Sequence, residues 1–350
     1  MADGPPHAAL KQRVDGALRA FVEQEVGLLL EIDAELAPVA EQLRAATRHG
    51  KRLRAAFCYW GWRAAGQADS EALVRACAAM ELVHAAAVVH DDLIDRSRIR
   101  HGRPTAQWAL REALPRLPRR AAAAEALAML VGDLLTAWAG QLFTDCGLPA
   151  AYLSRARALW AALARELVAG ECLEILHTGA PPDTATSLKV VRYKTAKYTV
   201  EQPLLIGAAL GGASPGLRDC FTGYGLPLGE AFQLRDDLLG LFGDPARTGK
   251  ANADDLTARR PTALLAETWR CATPAERAEL RRLLGSAAQD TAALDRAREI
   301  MRRTRAPARI ERMIDERVRT ATEALDRASL PRQAAQALTD LARTATSRHH

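Results

Sequence analysis

The chain has 350 residues, a formal net charge of +6 and 49% hydrophobic residues, with aromatic residues making up only 5%. A chain of this length can bury a large core, and no long linker rich in Pro, Gly or Ser divides it. We therefore expect a flexible N-terminus over residues 1–9 and a single domain over residues 10–348. The basic residues are not interleaved with stacking aromatics, which argues against a nucleic-acid-binding protein.

The cysteines and the N-terminus point to a reducing compartment. No CxxC pair, zinc-type spacing or compact disulfide framework is formed by Cys58, Cys77, Cys146, Cys172, Cys220 and Cys271. We therefore predict small buried thiols in the cytoplasm. The N-terminus lacks the layout of a signal peptide, and charges interrupt the most apolar stretch, residues 121–140. No transmembrane segment is therefore predicted.

Apolar residues recur at helical spacing along most of the chain. The first such pattern runs from Leu10 to Ala46 and predicts one long helix that ends near Gly50. Later patterns predict helices over residues 53–65, 71–95, 121–146, 151–176, 187–211, 217–241, 274–284, 290–304, 308–328 and 331–346. The sequence thus predicts an all-α bundle of long helices.

A first aspartate cluster lies at the end of the apolar helix predicted over residues 71–95. In a helix, Asp91 and Asp95 lie on one face about one turn apart, where two carboxylates can share hard cations. Asp92 points about 100° away and suits a supporting role. Several cations follow within a few residues: Arg96, Arg98, Arg100, His101 and Arg103. Ordinary surface ion pairs are the competing interpretation.

A second cluster, Asp236 and Asp237, also follows an apolar segment and precedes cations at Arg247 and Lys250. Two acid-then-base clusters on separate helices favour a cavity that holds divalent metal between carboxylates and phosphate. Mg²⁺ suits such a site because it prefers a few carboxylates plus phosphate oxygens and water. The basic segment Gly50 to Arg54, at a predicted helix start, adds further cations for an anionic substrate.

Five motifs occur in order: GKRLR from Gly50, ELVHAAAVVHDDLID from Glu81, RHGRPT from Arg100, YKTAKYT from Tyr193 and FQLRDDLLGLFGDPARTGK from Phe232. This set resembles the trans-isoprenyl diphosphate synthase (polyprenyl synthetase) family, most of all bacterial geranylgeranyl diphosphate synthases, over nearly the whole chain. The resemblance implies a helical bundle around a deep central cavity, usually a homodimer. It also implies Mg²⁺-dependent condensation of an allylic diphosphate with isopentenyl diphosphate.

The resemblance also implies a role for each motif. Two Mg²⁺ ions would be bound by Asp91 and Asp95 with support from Asp92, and a third by Asp236, next to Asp237. The cations that would hold the allylic diphosphate are Arg100, Lys194 and Lys250. The residues that would hold isopentenyl diphosphate are Lys51, Arg54 and His84. Oxygen dipoles of Thr195 and Gln233 could stabilise the allylic cation.

Product length in this family depends on residues one and two turns before the first aspartate cluster, where bulky aromatics stop chain growth. Here the corresponding residues are Met80, Val83, Ala86 and Ala87, and none is aromatic. The resemblance therefore implies a product longer than fifteen carbons, with geranylgeranyl diphosphate preferred.

Four positions depart from the family pattern. His101 replaces an Arg that helps to hold isopentenyl diphosphate, and a neutral imidazole does not supply a fixed, forked charge. Arg260 replaces a Lys and keeps the charge, Ala55 replaces a Pro, and Gly240 stands where some members have a third Asp. His101 leaves open a prenyltransferase of the same fold with another acceptor, such as an aromatic ring.

A terpene cyclase and a non-catalytic partner subunit are less compatible with these motifs. A terpene cyclase would need an Asn/Asp-Ser/Thr-Glu metal motif, which is not found after Asp237. A non-catalytic partner subunit should have lost aspartates or phosphate ligands, and both aspartate clusters are intact.

Overall fold

The structure, a computed structural model, describes residues 6–116, 118–243, 256, 258–286 and 291–346. Nearly all regular structure within these ranges is helical, which confirms the predicted all-α class. The chain forms two compact units. Unit 1 comprises the described residues up to Ala156 together with Ile206–Gly212, and unit 2 comprises Arg157–Leu205 together with the described residues from Ala213 onward. The single-domain assignment stays a prediction.

The elements of unit 1 are helices apart from one short hairpin. They are α1 (Pro6–Ile32), a 3-10 helix (Ala34–Leu36), α2 (Ala37–Thr47), α3 (Leu53–Ala64), α4 (Glu71–Ile94), β1 (Ile99–Arg100), β2 (Arg103–Pro104), α5 (Ala106–Ala113) and α6 (Arg120–Thr144). The strands are antiparallel, with Arg100 opposite Arg103. Helix α4 packs on α1, α3 and α6, and its residues Leu73 and Leu82 are fully buried.

Unit 2 is built around a long helix close to its centre. Two helices contribute to both units, α7 (Ala150–His177) and α9 (Gln202–Leu210). The elements wholly within unit 2 are α8 (Thr184–Val190), a π-helix (Val191–Glu201), α10 (Pro215–Phe242), α11 (Ala263–Cys271), α12 (Pro274–Ser286), α13 (Thr291–Arg303), α14 (Ala306–Asp326) and α15 (Arg332–Thr346). Helix α10 packs against the π-helix and α14. Its residues Leu234 and Leu238 belong to the apolar core of the unit.

The prediction of one long first helix was wrong, because the chain breaks at Asp33. This residue is extended, and its side chain accepts a hydrogen bond from the Glu35 N–H at 2.8 Å, capping the 3-10 helix. Pro38 then occupies the first turn of α2, where its missing N–H costs nothing. The first helix also begins earlier than predicted, at Pro6 instead of Leu10.

Most of the later predicted helices lie within a few residues of the observed ones. The exception is the segment predicted as one helix over residues 187–211, which is a succession of α8, the π-helix and α9. Helices α5 and α11 and the β1–β2 hairpin were not predicted.

The thiol prediction is confirmed only in part. Cys58, Cys77 and Cys146 are buried free thiols, whereas Cys172 and Cys271 are free but exposed, and Cys220 is half-buried. Burial raises the pKa of the Cys77 thiol, which keeps it protonated and unreactive at neutral pH.

Among the described residues, α4 and α6 are long and apolar enough to cross a membrane by length and composition alone. The most apolar 18-residue segment of α4 is 67% buried within the protein, and that of α6 is 44% buried. Core helices of globular proteins share these properties, so the absence of a transmembrane segment stays a prediction.

Candidate active site

The first aspartate cluster lies in the last turn of α4. This helix begins after Ser70, whose hydroxyl accepts from the Leu73 N–H at 3.1 Å, and ends where the N–H of Asp95 donates to the Asp91 carbonyl at 2.9 Å. A helix C-terminus carries partial negative charge, so carboxylates placed there are destabilised unless cations are close. The local structure thus requires positive charge beside Asp91 and Asp92.

Arg100 supplies that charge from the β1–β2 hairpin. Its Nε donates to Oδ1 of Asp92 at 2.9 Å, and its Nη2 donates to the same oxygen at 2.6 Å and to Oδ2 of Asp91 at 3.1 Å. Thus the predicted anion-binding Arg100 and the predicted metal-binding Asp91 are in direct contact.

The hairpin that carries Arg100 is attached to the end of α4. The Gln107 side chain donates to the carbonyls of Asp92 and Ser97, both at 2.9 Å, and the Thr105 hydroxyl donates to Ser97 at 2.7 Å. His101 is exposed at the hairpin turn, with φ of 51°. It lies next to Arg100, in a backbone conformation that histidine adopts more readily than most residues.

Burial distinguishes the three aspartates of this cluster. The side chain of Asp92 is 6% exposed and that of Asp91 is 21% exposed. Asp95 is half-buried. The supporting role predicted for Asp92 fits its burial against Arg100, while Asp91 keeps carboxylate surface for another ligand.

The predicted isopentenyl diphosphate residues are in unit 1 as well. Lys51 is exposed, and Arg54 in the first turn of α3 is 9% exposed. Burial, together with the positive charges of Arg54 and Arg100, lowers the pKa of His84 well below its usual 6.5. The imidazole is therefore neutral at pH 7 and can donate a hydrogen bond to an anion without adding charge.

In unit 2, Lys194 is held by two glutamates that were not predicted from the sequence. Its Nζ lies 2.8 Å from Oε2 of Glu171 and 2.6 Å from Oε1 of Glu174, both on α7. Arg260 is also close to Glu174, with its Nε 3.7 Å from Oε1 of that glutamate. The three-residue spacing of these glutamates, which places them on one helix face, was the only available signal. The predicted ligand Lys250 lies outside the described residues.

Thr195, Gln233 and Asp237 form a hydrogen-bonded chain between the π-helix and α10. The Thr195 hydroxyl donates to Oε1 of Gln233 at 2.8 Å, and Nε2 of Gln233 donates to Oδ1 of Asp237 at 2.8 Å. The carboxylate fixes the orientation of the amide, because the reverse orientation would place two acceptors together. The Thr195 hydroxyl proton is thus directed at Gln233. The lone pairs of the hydroxyl oxygen therefore present partial negative charge on its other side.

The two aspartates of the second cluster differ in burial, as Asp91 and Asp92 do. Asp236 is half-buried, whereas Asp237 is buried with its carboxylate on Gln233. Arg235, next to Asp236 in sequence, donates to Glu311 at 2.6 and 2.7 Å and takes no part in the hydrogen-bonded chain. Asp236 is therefore the more accessible residue of this pair, as Asp91 is relative to Asp92.

Two glycines allow the π-helix to lie unusually close to its neighbours. A Cβ added at Gly170 of α7 would lie 2.3 Å from the backbone nitrogen of Lys194. A Cβ added at Gly229 of α10 would lie 2.5 Å from Cα of Ala196. These contacts hold the backbone that carries Lys194 and Thr195 directly against α7 and α10.

The predicted chain-length residues of α4 differ in burial. Ala87 lies one turn before Asp91 on the same face, and both Ala87 and Val83 are half-buried. Ala86 and Met80 are almost completely buried, at 3% and 1% exposure. Ala87 and Val83 are thus the more accessible of these residues.

The sequence matches the Polyprenyl synthetase family model over residues 37–301. The geranylgeranyl diphosphate synthase of Mycobacterium tuberculosis is 31% identical over 290 residues, which are 82% of this chain and 77% of that protein. The (2E,6E)-farnesyl diphosphate synthase of Mycobacterium bovis is 35% identical over 222 residues, 63% of this chain but only 56% of that relative.

A solved structure of geranylgeranyl pyrophosphate synthase from Corynebacterium glutamicum, complexed with isoprenyl diphosphate and magnesium, has a TM-score of 0.93 and 31% identity, covering 97% of this chain and 99% of that one. The fold is thus the all-α fold of the isoprenyl synthases. The chain belongs to the polyprenyl synthetase family, which confirms the predicted resemblance.

Proposed function

We propose that this chain is a Mg²⁺-dependent prenyltransferase that condenses an allylic diphosphate with isopentenyl diphosphate, and that its main product is all-trans geranylgeranyl diphosphate. The contact of Arg100 with both Asp91 and Asp92 carries the proposal. A guanidinium thus lies beside the partly exposed carboxylate of Asp91 and the buried carboxylate of Asp92 at a helix end. This combination suits a diphosphate that arrives with divalent metal.

The oxygen donors fit Mg²⁺. Asp91, Asp95 and Asp236 are each half-buried and supply carboxylate oxygens, and hard carboxylate oxygens are preferred ligands of this ion. We propose that Asp91 and Asp95 hold two ions and Asp236 a third. When bound, Mg²⁺ supplies Lewis-acid stabilisation of the negative charge that develops on the departing diphosphate.

The protein cations would bind and orient the two diphosphates. In our proposal Arg100, Lys194 and Lys250 hold the allylic diphosphate, with Arg260 beside Lys194. Glu171 and Glu174 hold the Lys194 ammonium group in one place before the substrate binds. Fixed cations aimed at the leaving group favour the transition state over the ground state, because charge grows there as the C–O bond breaks.

The acceptor diphosphate would bind Lys51 and Arg54, with His84 as a neutral donor. After the allylic C–O bond breaks, a C–C bond to isopentenyl diphosphate forms and a proton is lost, for which the released diphosphate is the base. The chain Thr195–Gln233–Asp237 would place oxygen dipoles near the allylic cation without a full negative charge that could react with it.

Product length is the first property to test by substitution. We expect Ala87→Phe to shorten the main product by at least one five-carbon unit, because the ring would fill the accessible side of α4 one turn before Asp91. Chromatography of the dephosphorylated products from geranyl and farnesyl donors measures the change. Ala109→Phe, a half-buried alanine of α5, serves as the control. An unchanged product distribution for Ala87→Phe contradicts this position of the tunnel floor.

We also propose that the enzyme acts in the cytoplasm as a homodimer. Helix α6 presents Met129 and Leu130, 49% and 50% exposed, on a surface with few charges. A second copy of the chain would remove this apolar surface from water. The buried free thiols Cys58, Cys77 and Cys146 suit a reducing compartment.

The decisive experiment incubates the purified full-length chain with Mg²⁺, isopentenyl diphosphate and dimethylallyl, geranyl or farnesyl diphosphate, and measures product length. We expect elongation that stops mainly at twenty carbons and that EDTA abolishes. Parallel incubations replace isopentenyl diphosphate with aromatic acceptors. Prenylation of an aromatic ring without elongation would favour the different acceptor that His101 leaves open, and no product from any donor would contradict the proposal.

A further inference from the structure

Arg52 is a buried cation, whereas its neighbour Lys51 is exposed. The side chain of Arg52 is 5% exposed, and all three guanidinium nitrogens contact acceptors inside unit 1. The Arg52 guanidinium is therefore bonded within the protein and is not exposed as Lys51 is. A buried charge of this kind needs close partners to offset its lost hydration.

The partners of Arg52 come from several elements. Nε donates to Oδ1 of Asp15 in α1 at 2.7 Å, Nη2 donates to the Thr47 carbonyl at the end of α2 at 2.6 Å, and Nη1 donates to the His49 carbonyl at 3.1 Å. Oε2 of Glu81 in α4 lies 3.9 Å from Nη1. One side chain thus connects α1, α2, the loop before α3, and α4.

The backbone at Arg52 has an unusual conformation. The residue has φ of 56° and ψ of 39°, a left-handed conformation that costs a non-glycine residue about 1 kcal/mol. Its carbonyl accepts from the Ala56 N–H at 3.0 Å, which opens α3. The side-chain contacts offset this cost and keep the loop in a single conformation.

Glu81 completes the arrangement from the other side of the loop. Its side chain is 2% exposed, and its Oε1 accepts from the Ala55 N–H in the first turn of α3 at 2.9 Å. A proline at position 55 would have no N–H for this bond. Glu81 therefore joins the start of α3 to α4 three residues before His84.

We propose that Arg52 and Glu81 are positioning residues for the acceptor diphosphate. They fix the loop and first turn that carry Lys51 and Arg54, and they do not touch the substrate. Long cationic side chains lose binding energy when their backbone must be ordered on binding, so a preformed loop strengthens affinity. This inference rests on the proposed function, because it assumes that Lys51 and Arg54 bind isopentenyl diphosphate.

The test compares Arg52→Gln with wild type in steady-state kinetics and in calorimetric titration. We expect the KM for isopentenyl diphosphate to rise about tenfold or more, while kcat and the KM for farnesyl diphosphate change less than about threefold. Because the proposed acceptor residues include no carboxylate, calorimetry with isopentenyl diphosphate in EDTA should show a matching rise in Kd. A merely structural role would instead lower the fraction of active enzyme, and thus kcat, without changing either KM.

Arg44→Gln is the matched control. Arg44 also joins α2 to α1, through Glu23 at 2.8 and 2.9 Å, but its side chain is 29% exposed, against 5% for Arg52. We expect its two KM values to equal those of wild type. Asp15→Asn and Glu81→Gln each remove the negative charge of one partner of Arg52 and should raise only the acceptor KM, by about threefold. If Arg52→Gln does not fold, these two variants test the positioning role in its place.

A KM and Kd for isopentenyl diphosphate within about twofold of wild type, in folded variants, would overturn the positioning role. An equal rise in both KM values would also overturn it. Failure of the proposed function gives a different result: wild type itself would show no elongation. In that case the calorimetric comparison of wild type and variants still decides whether Arg52 and Glu81 position an anion site.

Discussion

Replacing Asp91 with alanine is expected to lower prenyl transfer by roughly 10²–10³-fold or more, because one group that stabilises developing charge is worth about that factor. Asp91 combines partial exposure with the Arg100 contact at 3.1 Å, so its loss removes a proposed metal ligand and loosens the adjacent guanidinium. Release of diphosphate from an allylic donor at saturating Mg²⁺ measures the effect. Titration of Mg²⁺ shows whether extra metal restores any rate.

The stability of the Asp91→Ala protein should change little. Arg100 keeps its two hydrogen bonds to Asp92 at 2.9 and 2.6 Å, and the removed carboxylate lies at the unfavourable end of α4. Asp219→Ala, an exposed aspartate of α10, is the control and should retain full activity. Normal turnover of folded Asp91→Ala would remove this residue from the metal site.

Replacing Gly229 with alanine is expected to destabilise the protein by about 3 kcal/mol, at the upper end of the usual cost of overpacking. The added Cβ would lie 2.5 Å from Cα and 2.7 Å from the carbonyl oxygen of Ala196. Both atoms belong to the backbone, so no rotamer change relieves the clash and α10 must move away from the π-helix. Urea denaturation followed by circular dichroism measures the loss.

This variant should also lose activity at temperatures where it remains folded. Gly229 lies one turn before Gln233 on the same face of α10, so separation of the helices lengthens the 2.8 Å hydrogen bond from Thr195 to Gln233. Gly16→Ala in α1, where nothing lies within 4 Å of the added Cβ, is the control. It should stabilise α1 by roughly 0.5–1 kcal/mol. Equal stabilities of the two variants would contradict the close packing at Gly229.

The first aspartate cluster shows how far the sequence could predict the site. Helical spacing was enough to place Asp91 and Asp95 together and to turn Asp92 away, and the structure shows Asp92 buried against Arg100. The break at Asp33 was also legible, since an Asx cap and Pro38 both mark a helix start. It was missed because the apolar pattern continues across it.

The π-helix could not be predicted in the same way. Residues 187–211 carry an ordinary helical pattern, and the wider turn from Val191 to Glu201 lies where Gly170 and Gly229 bring neighbouring helices against the backbone. Those glycines are distant in sequence from the segment they contact. Local periodicity contains no information about such contacts.

The sequence by itself determined the helical class, the order of the motifs and the residue types of the proposed site, because helix formation and the spacing of side chains on a helix face are local properties. Only the tertiary structure decided which charges pair. Lys194 pairs with Glu171 and Glu174, and Arg52 pairs with Asp15. The reason is physical: a buried charge must be offset by whichever opposite charges the fold brings within about 4 Å, and those residues are far apart along the chain.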